Sequence, residues 1–257
     1  MYYFNQNDYP DIKYDRPNTS KVETIATSGC GVCACCMVVD NLADRELYSV
    51  AKMAKLALTC GARDNYGTNI TTLLKAVCKA NSGFSYTTTN DENALIRHLK
   101  AGGMAICNQG DSYNVFSTSG HFVVAYRMVG SNIDILDPQM YDGKYDAYDR
   151  PNRIVKKTKY GCIVTKSELA KATADRSPAY FLVSYKGGSP VAQYGNAKMK
   201  SAQSTYCDSN LEDKIGSVSK GERVLYLGTG EGRPMIAYKI SNGYKVGFVK
   251  KDTVDRD

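Results

Sequence analysis

The sequence is poor in the side chain that most often moves protons near neutral pH: it holds two histidines, His98 and His121, and no tryptophan at all. An imidazole base has to be one of those two residues. No apolar run approaches the ~20 residues that cross a bilayer, which excludes a membrane-spanning helix from the expectation. The opening MYYFNQNDYPDIKYDRP has neither a basic start nor an apolar core of the secretory kind, so the chain is expected to be made in the cytoplasm without a signal peptide. Basic runs are missing as well. The 33 Lys and Arg and 26 Asp and Glu are spread along the chain for a net charge of +7, with no arm of the kind that binds nucleic acid. Cys30-x-x-Cys33 is half of a metal ligand set with no second CxxC or CxxH, so structural zinc is disfavoured and no cofactor is implied.

What is present is a chain of 257 residues, 43% hydrophobic, enough for one large domain or two smaller ones with a true core. Its nine cysteines are odd in number, and a chain of this length needs no disulfide staples, so free thiols are expected. Four of them crowd into IATSGCGVCACCMVVDNL, residues 25–42. There Thr27 and Ser28 suit an N-cap, Gly29 and Gly31 permit a tight turn and close backbone approach, and Val32 to Leu42 reads as a buried helix. The N–H groups of such a helix favour thiolate over thiol at Cys30, and the thiolate is the nucleophile. The competing reading is a buried structural cysteine like its neighbours Cys33, Cys35 and Cys36.

Apolar spacing predicts further helices over 45–60, 69–80 and 91–99, the last capped by Asn90 or Asp91 and carrying His98 on a solvated face. The period then changes. Strands are expected at 104–107, 121–129, 133–136, 161–164 and 179–185, with a short helix at 166–173 before the last. Helices first and strands after indicate an α+β domain over 1–186. Residues 187–193, with Gly187 to Pro190 at their head, read as a linker, and 194–257 as a small all-β barrel with short strands between glycine turns. The pentapeptide Tyr-Asp-Arg-Pro-Asn occurs twice, at 14–18 and 148–152, each copy suited to a proline turn.

A cysteine nucleophile needs a base and a group to orient that base. His121 opens the first strand of the predicted hairpin and Asp137 follows the second, so both reach one rim of the sheet. A plain two-residue turn leaves them out of line, so their pairing requires a bulge or offset. Taken singly, His121 also fits a satisfied strand-edge histidine and Asp137 a turn aspartate before proline.

These pieces together resemble the papain-like cysteine peptidases, and within them the bacteriocin-leader peptidases and their free-standing relatives. The resemblance rests on SGCG at 28–31 before an apolar helix, GHFVVAY at 120–126, ILDP at 135–138 and YFNQND at 3–8, and spans roughly Tyr3 to Tyr185. It implies Cys30 as nucleophile, His121 as base and Asp137 as orienting residue. Many such proteins have a glutamine six positions before the cysteine; Thr24 stands there, which makes Gln6 the nearest oxyanion candidate and Gln109 a weaker one. The C-terminal region is similar to bacterial SH3 domains through Lys220-Gly221-Glu222-Arg223-Val224 and the segment Gly243 to Val249, with Phe248 where tryptophan is usual. A cysteine hydrolase joined to such a module resembles phage and prophage endolysins, and implies bacterial peptidoglycan as partner, an amide of its stem or cross-bridge peptide as the bond cut, and action on the wall after release from the cytoplasm. A soluble protease that processes peptide leaders and a non-catalytic wall-binding protein are the alternatives.

Overall fold

The computed structural model describes residues 1–18, 20–186, 195–240 and 243–256, and the chain forms two compact units, 1–187 and 188–257. The expected linker, 187–193, lies outside the described residues.

The first unit is α+β. A lead-in with one 3-10 turn (Gln6–Asp8) is followed by α1 (Ile25–Ser28), α2 (Cys30–Ala43), α3 (Val50–Thr59), the two-residue strands β1 (Arg63–Asp64) and β2 (Gly67–Thr68), and α4 (Ile70–Ala80). Then come β3 (Phe84–Thr89), α5 (Glu92–Lys100), β4 (Met104–Gln109), β5 (His121–Val129), β6 (Asn132–Leu136), α6 (Arg150–Arg153), β7 (Lys156–Thr158), β8 (Gly161–Val164), α7 (Lys166–Thr173) and β9 (Tyr180–Tyr185). The caps follow the residue chemistry: Asn69 accepts from Thr72 N–H, Asp91 from Asn93 N–H and Thr165 from Glu168 N–H. The sequence spacing missed β1, β2, β3 and β7. The first two are too short to show a period, and β3 is an edge strand whose Phe84 alone is fully buried.

Seven antiparallel strands stand in the order β3-β9-β4-β5-β6-β8-β7. Alternation along the strands splits the core in two. Val124, Tyr126 and Leu136 face α2, α3 and α4; Val123, Ala125, Ile133 and Ile135 face Leu95 and Leu99 of α5 and Leu169 of α7. Helix α2 is buried almost throughout, from Gly31 to Leu42, which explains how Cys33, Cys35 and Cys36 can all sit inside. The lead-in reaches the core: Tyr14 is wholly buried, its hydroxyl 2.8 Å from Thr68 Oγ1, and Arg63 Nε donates to its carbonyl.

The second unit is all-β and antiparallel, with strands β10 (Ala197–Met199), β11 (Gln203–Tyr206), β12 (Lys214–Val218), β13 (Arg223–Gly230), β14 (Arg233–Ile240), β15 (Gly243–Phe248) and β16 (Val254–Arg256) in the order β12-β11-β15-β14-β13-β10-β16. Its own core gathers Ala197, Met199, Val218, Val224, Ile236, Tyr238 and Val249.

Candidate active site

Helix α2 delivers Cys30 to the floor of a cleft. Thr27 Oγ1 accepts from Thr24 N–H at 3.0 Å and folds the single turn α1; Gly29, at φ −94° and ψ 8°, separates it from α2. The N-cap role expected for Thr27 and Ser28 is therefore corrected: both lie inside α1, and α2 starts at Cys30 with no side-chain cap. Uncapped, the first turn keeps N–H groups for the sulfur. The His121 side chain and the backbone N–H groups of Phe122 and Gly31 all favour the thiolate at this position. Both glycines are needed for close approach, since a Cβ on Gly29 would stand 2.5 Å from Ile25 atoms and one on Gly31 2.7 Å from Thr68 Cβ.

His121 is the first residue of β5, and its Nε2 lies 2.8 Å from Asp137 Oδ1. A bulge makes this contact possible. From the turn inwards β5 and β6 pair Val129 with Asn132, Met128 with Ile133 and Arg127 with Asp134; after the bulge at Tyr126 they pair Ala125 with Ile135 and Val124 with Leu136. Continued without the bulge, the register would set Asp137 opposite Val124, on the α2 side of the sheet. With it, the next partner is Val123, on the same face as His121 and two residues away. The extra residue thus moves Asp137 to the face that holds the imidazole.

Asp137 is fully buried and saturated with donors. Oδ1 accepts from His121 and from Gln139 N–H at 2.9 Å; Oδ2 accepts from Tyr145 Oη at 2.6 Å and from Lys144 Nζ at 2.6 Å. Burial pushes its pKa up, but the Lys144 and His121 charges and hydrogen bonds outweigh that and hold the carboxyl well below the ordinary aspartate range. Burial likewise opposes the charged forms of His121 and Cys30. Asp137 and Cys30 nevertheless raise the imidazole, and the His121 hydrogen bond and charge lower the thiol. The directions are those of a thiolate–imidazolium pair. Since Nε2 serves Asp137, Nδ1 is the ring nitrogen left for sulfur. The neighbouring thiols move the other way: burial raises Cys33, Cys35 and Cys36.

The segment YFNQND holds the Asp137 loop in place. Tyr3 Oη donates to Asp137 O at 2.7 Å, Gln6 N–H to Pro138 O at 2.6 Å and Asn5 Nδ2 to Met140 O at 2.8 Å. Gln6 Nε2 donates to Ala26 O at 2.8 Å, tying that loop to the turn before Cys30; its Oε1 is buried without an acceptor's partner. Gln6 itself does not line the cleft. Gln109, opposite His121 across β4 and β5, is occupied elsewhere: Oε1 accepts from the N–H groups of Val115, Phe116 and Ser117, and Nε2 donates to the carbonyls of Gly110, Ser117 and Ser119. It shapes the loop that leads into His121. His98 is also placed differently from the solvated face expected for it; Nε2 lies 3.1 Å from Met104 O and 2.9 Å from Val183 O, so this nitrogen carries a hydrogen shared by two sheet carbonyls, and burial lowers the ring's pKa.

The cleft has a volume of about 450 Å³. Besides Cys30 and His121 its walls carry Asp64 and the fully exposed Tyr66 from the β1–β2 hairpin, Asn108 from β4, and Arg176 after α7. None of these four was singled out in the sequence, because their positions in the chain become related only when hairpin, sheet and helix meet. Lys144 and Tyr145 were missed for the same reason.

No protein-family model matches the chain, and no curated protein matches it. Among solved structures, the peptidase domain of Streptococcus ComA, described as a bi-functional ABC transporter involved in a quorum-sensing pathway, aligns at 14% identity and a TM-score of 0.40 over 62% of this chain and 93% of that one. Ly7917 aligns at 16% identity and a TM-score of 0.22 over 69% of this chain, covering 68% of that chain alone and 66% in its structure with the hydrolyzing product of MDP. Likeness at this level assigns no family, and the functional reading rests on the site.

Proposed function

We propose that the first unit is a cysteine hydrolase that cuts an amide in the stem or cross-bridge peptide of bacterial peptidoglycan through a Cys30 acyl-enzyme, and that the second unit is an SH3-like module that holds it on the wall. One observation carries the chemistry: a single imidazole, hydrogen-bonded to a buried carboxylate, lines the same open cleft as a thiol whose pKa it lowers. The Cys30 thiolate attacks the amide carbon and forms a C–S bond. Protonated His121 then gives its Nδ1 proton to the leaving nitrogen as the C–N bond breaks. Water attacks the thioester, His121 takes its proton, and the carboxylic product leaves as the thiolate returns. Asp137 stays ionised, holding the Nε2 proton and the ring orientation. The oxyanion is met by N–H groups at the start of α2, and Gln6 steadies the turn before them through its bond to Ala26 O.

The choice of substrate rests on the sequence motifs of both regions and on the separateness of the second unit, because tethering to a polymer raises the local concentration of the enzyme. The test is digestion of purified walls by wild type and Cys30→Ala, with new amino termini identified by mass spectrometry. Release of termini by wild type alone is expected. Lysis that survives Cys30→Ala removes the covalent mechanism, and cleavage confined to diglycine-type leader peptides replaces the wall with a peptide leader.

A further inference from the structure

A second cavity, of about 290 Å³, lies against the far side of the Asp137 network, between the 116–119 loop and the segment 139–150. Ser119 lines both this cavity and the cleft that holds Cys30, so the two spaces share a wall. Its lining is rich in donors: the hydroxyls of Ser117, Thr118, Tyr141 and Tyr148, and two buried cations, Lys144 and Arg150, each about 2% exposed.

The cations are not equivalent. Lys144 is neutralised by Asp137 at 2.6 Å. Arg150 has no carboxylate within ion-pair distance among the described residues. Its Nη1 donates to Lys144 O at 2.8 Å and lies 3.5 Å from Tyr141 Oη, whereas Nε is buried with no acceptor and Nη2 has none among the described residues. The other copy of the pentapeptide makes the contrast plain, for Arg16 there pairs with Glu23 at 2.9 Å. With the thiolate–imidazolium pair formed, Cys30 cancels His121 and Asp137 cancels Lys144, which leaves the Arg150 charge over. A buried guanidinium without a counter-ion is costly, and the hydroxyls around it can each turn a donor inward, so the pocket can serve an acceptor-only group.

We propose that this cavity is a carboxylate subsite in which Arg150, with the hydroxyls of Ser117 and Thr118, receives a carboxylate carried by the substrate while the adjoining amide lies at Cys30. The volume suits a carboxylate on a short side chain or chain end and not an extended peptide strand. This deepens the hydrolase reading and rests on it, since the shared Ser119 wall matters only if substrate occupies the Cys30 cleft. Charge-assisted bonds of this kind make the carboxylate worth about tenfold to a hundredfold in kcat/KM.

The experiment uses the full chain and a pair of wall-derived peptides that differ only in having one carboxylate converted to carboxamide. Wild type should prefer the carboxylate form by that factor, and Arg150→Gln should cleave the two alike. Because a buried arginine can be needed for folding, Thr118→Asp, at an exposed loop position, serves as second variant; its own carboxylate should occupy the subsite and erase the preference. Thermal shift of wild type, Arg150→Gln and Thr118→Asp with sodium acetate at constant ionic strength reads binding without turnover. Acetate stabilisation of wild type alone, with no cleavage of either peptide, keeps the anion subsite and removes the hydrolase reading. Cleavage of both forms at equal rates by wild type overturns the proposal, whether or not acetate binds.

Discussion

Lys144 Nζ sits 2.6 Å from Asp137 Oδ2, and both side chains are essentially closed to solvent. The carboxylate that orients His121 is thus held between two cations, and which of them it serves more strongly tunes the imidazole. Lys144→Met removes the competing positive charge, so His121 should bind its proton more tightly and the alkaline limb of the kcat/KM profile should move to higher pH. Stability shifts the opposite way. The depressed pKa of Asp137 contributes stability that is present above the ordinary aspartate range and lost as pH falls through the folded value; with Lys144 gone the depression shrinks, and acid unfolding should begin at higher pH. Breaking a buried pair costs about 3–5 kcal/mol, so the variant should also melt earlier at neutral pH. An unmoved alkaline limb in a folded Lys144→Met protein would show that the lysine does not act on the imidazole.

Deleting Leu136 leaves the bulge in place but shortens β6 by one residue, which should bring Asp137 opposite Val124, facing the α2 side. The expected result is a folded protein with its rate cut about 10²–10⁴-fold, comparable to Asp137→Ala, and a thiol that reacts with iodoacetamide over a higher pH range than in wild type. Circular dichroism and alkylation rates check this together. Wild-type alkylation in the folded deletion protein would mean that the β5–β6 register does not set the His121–Asp137 contact.

Gln6→Ala separates two roles. If the side chain meets the oxyanion, kcat should fall about 10²–10³-fold. If it only ties Pro138 to Ala26, the loss should appear as a lower Tm, matched by Asn5→Ala, with kcat within a few-fold of wild type. The kcat and Tm of both variants decide between them.

Residues 1–186 alone should fold, cleave soluble muropeptides nearly as the full chain does, and lyse intact walls much more slowly, because the two compact units have separate cores. The fragment 195–257 should sediment with walls. Equal wall lysis by the short and full chains would take away the targeting role and with it the main argument for a wall substrate.

Much of the first unit was legible because its signals are local. Asp91 is a cap with short reach, and the helix 166–173 and the strands 121–129 and 161–164 have the same bounds in the structure. The hairpin also brought His121 and Asp137 to one end of the sheet. What stayed hidden was parity. Whether Asp137 shares a face with His121 depends on one extra residue at Tyr126, and nothing in AYRMV marks it. The carboxylate's other partners come from a 3-10 turn, Lys144–Asp146, that has no periodicity, and Lys144 reads as a surface lysine until the fold closes over it. The first turn at Cys30 differs from the expectation because Thr27 and Ser28 are used up in the separate turn α1 that follows Thr24, so α2 begins after Gly29 without a side-chain cap.

The burial of α2 has a practical corollary for labelling. Nine thiols are free, and eight of them are sorted by burial and charge. Burial raises Cys33, Cys35, Cys36, Cys107 and Cys162, desolvation raises Cys78, and at the surface desolvation together with the carboxylates of Asp208 and Asp213 raises Cys207, while Cys30 moves down. A limiting electrophile at mildly acidic pH should therefore react at Cys30 ahead of these seven thiols. The mass of one adduct per chain becomes a count of competent sites in a preparation, independent of any substrate.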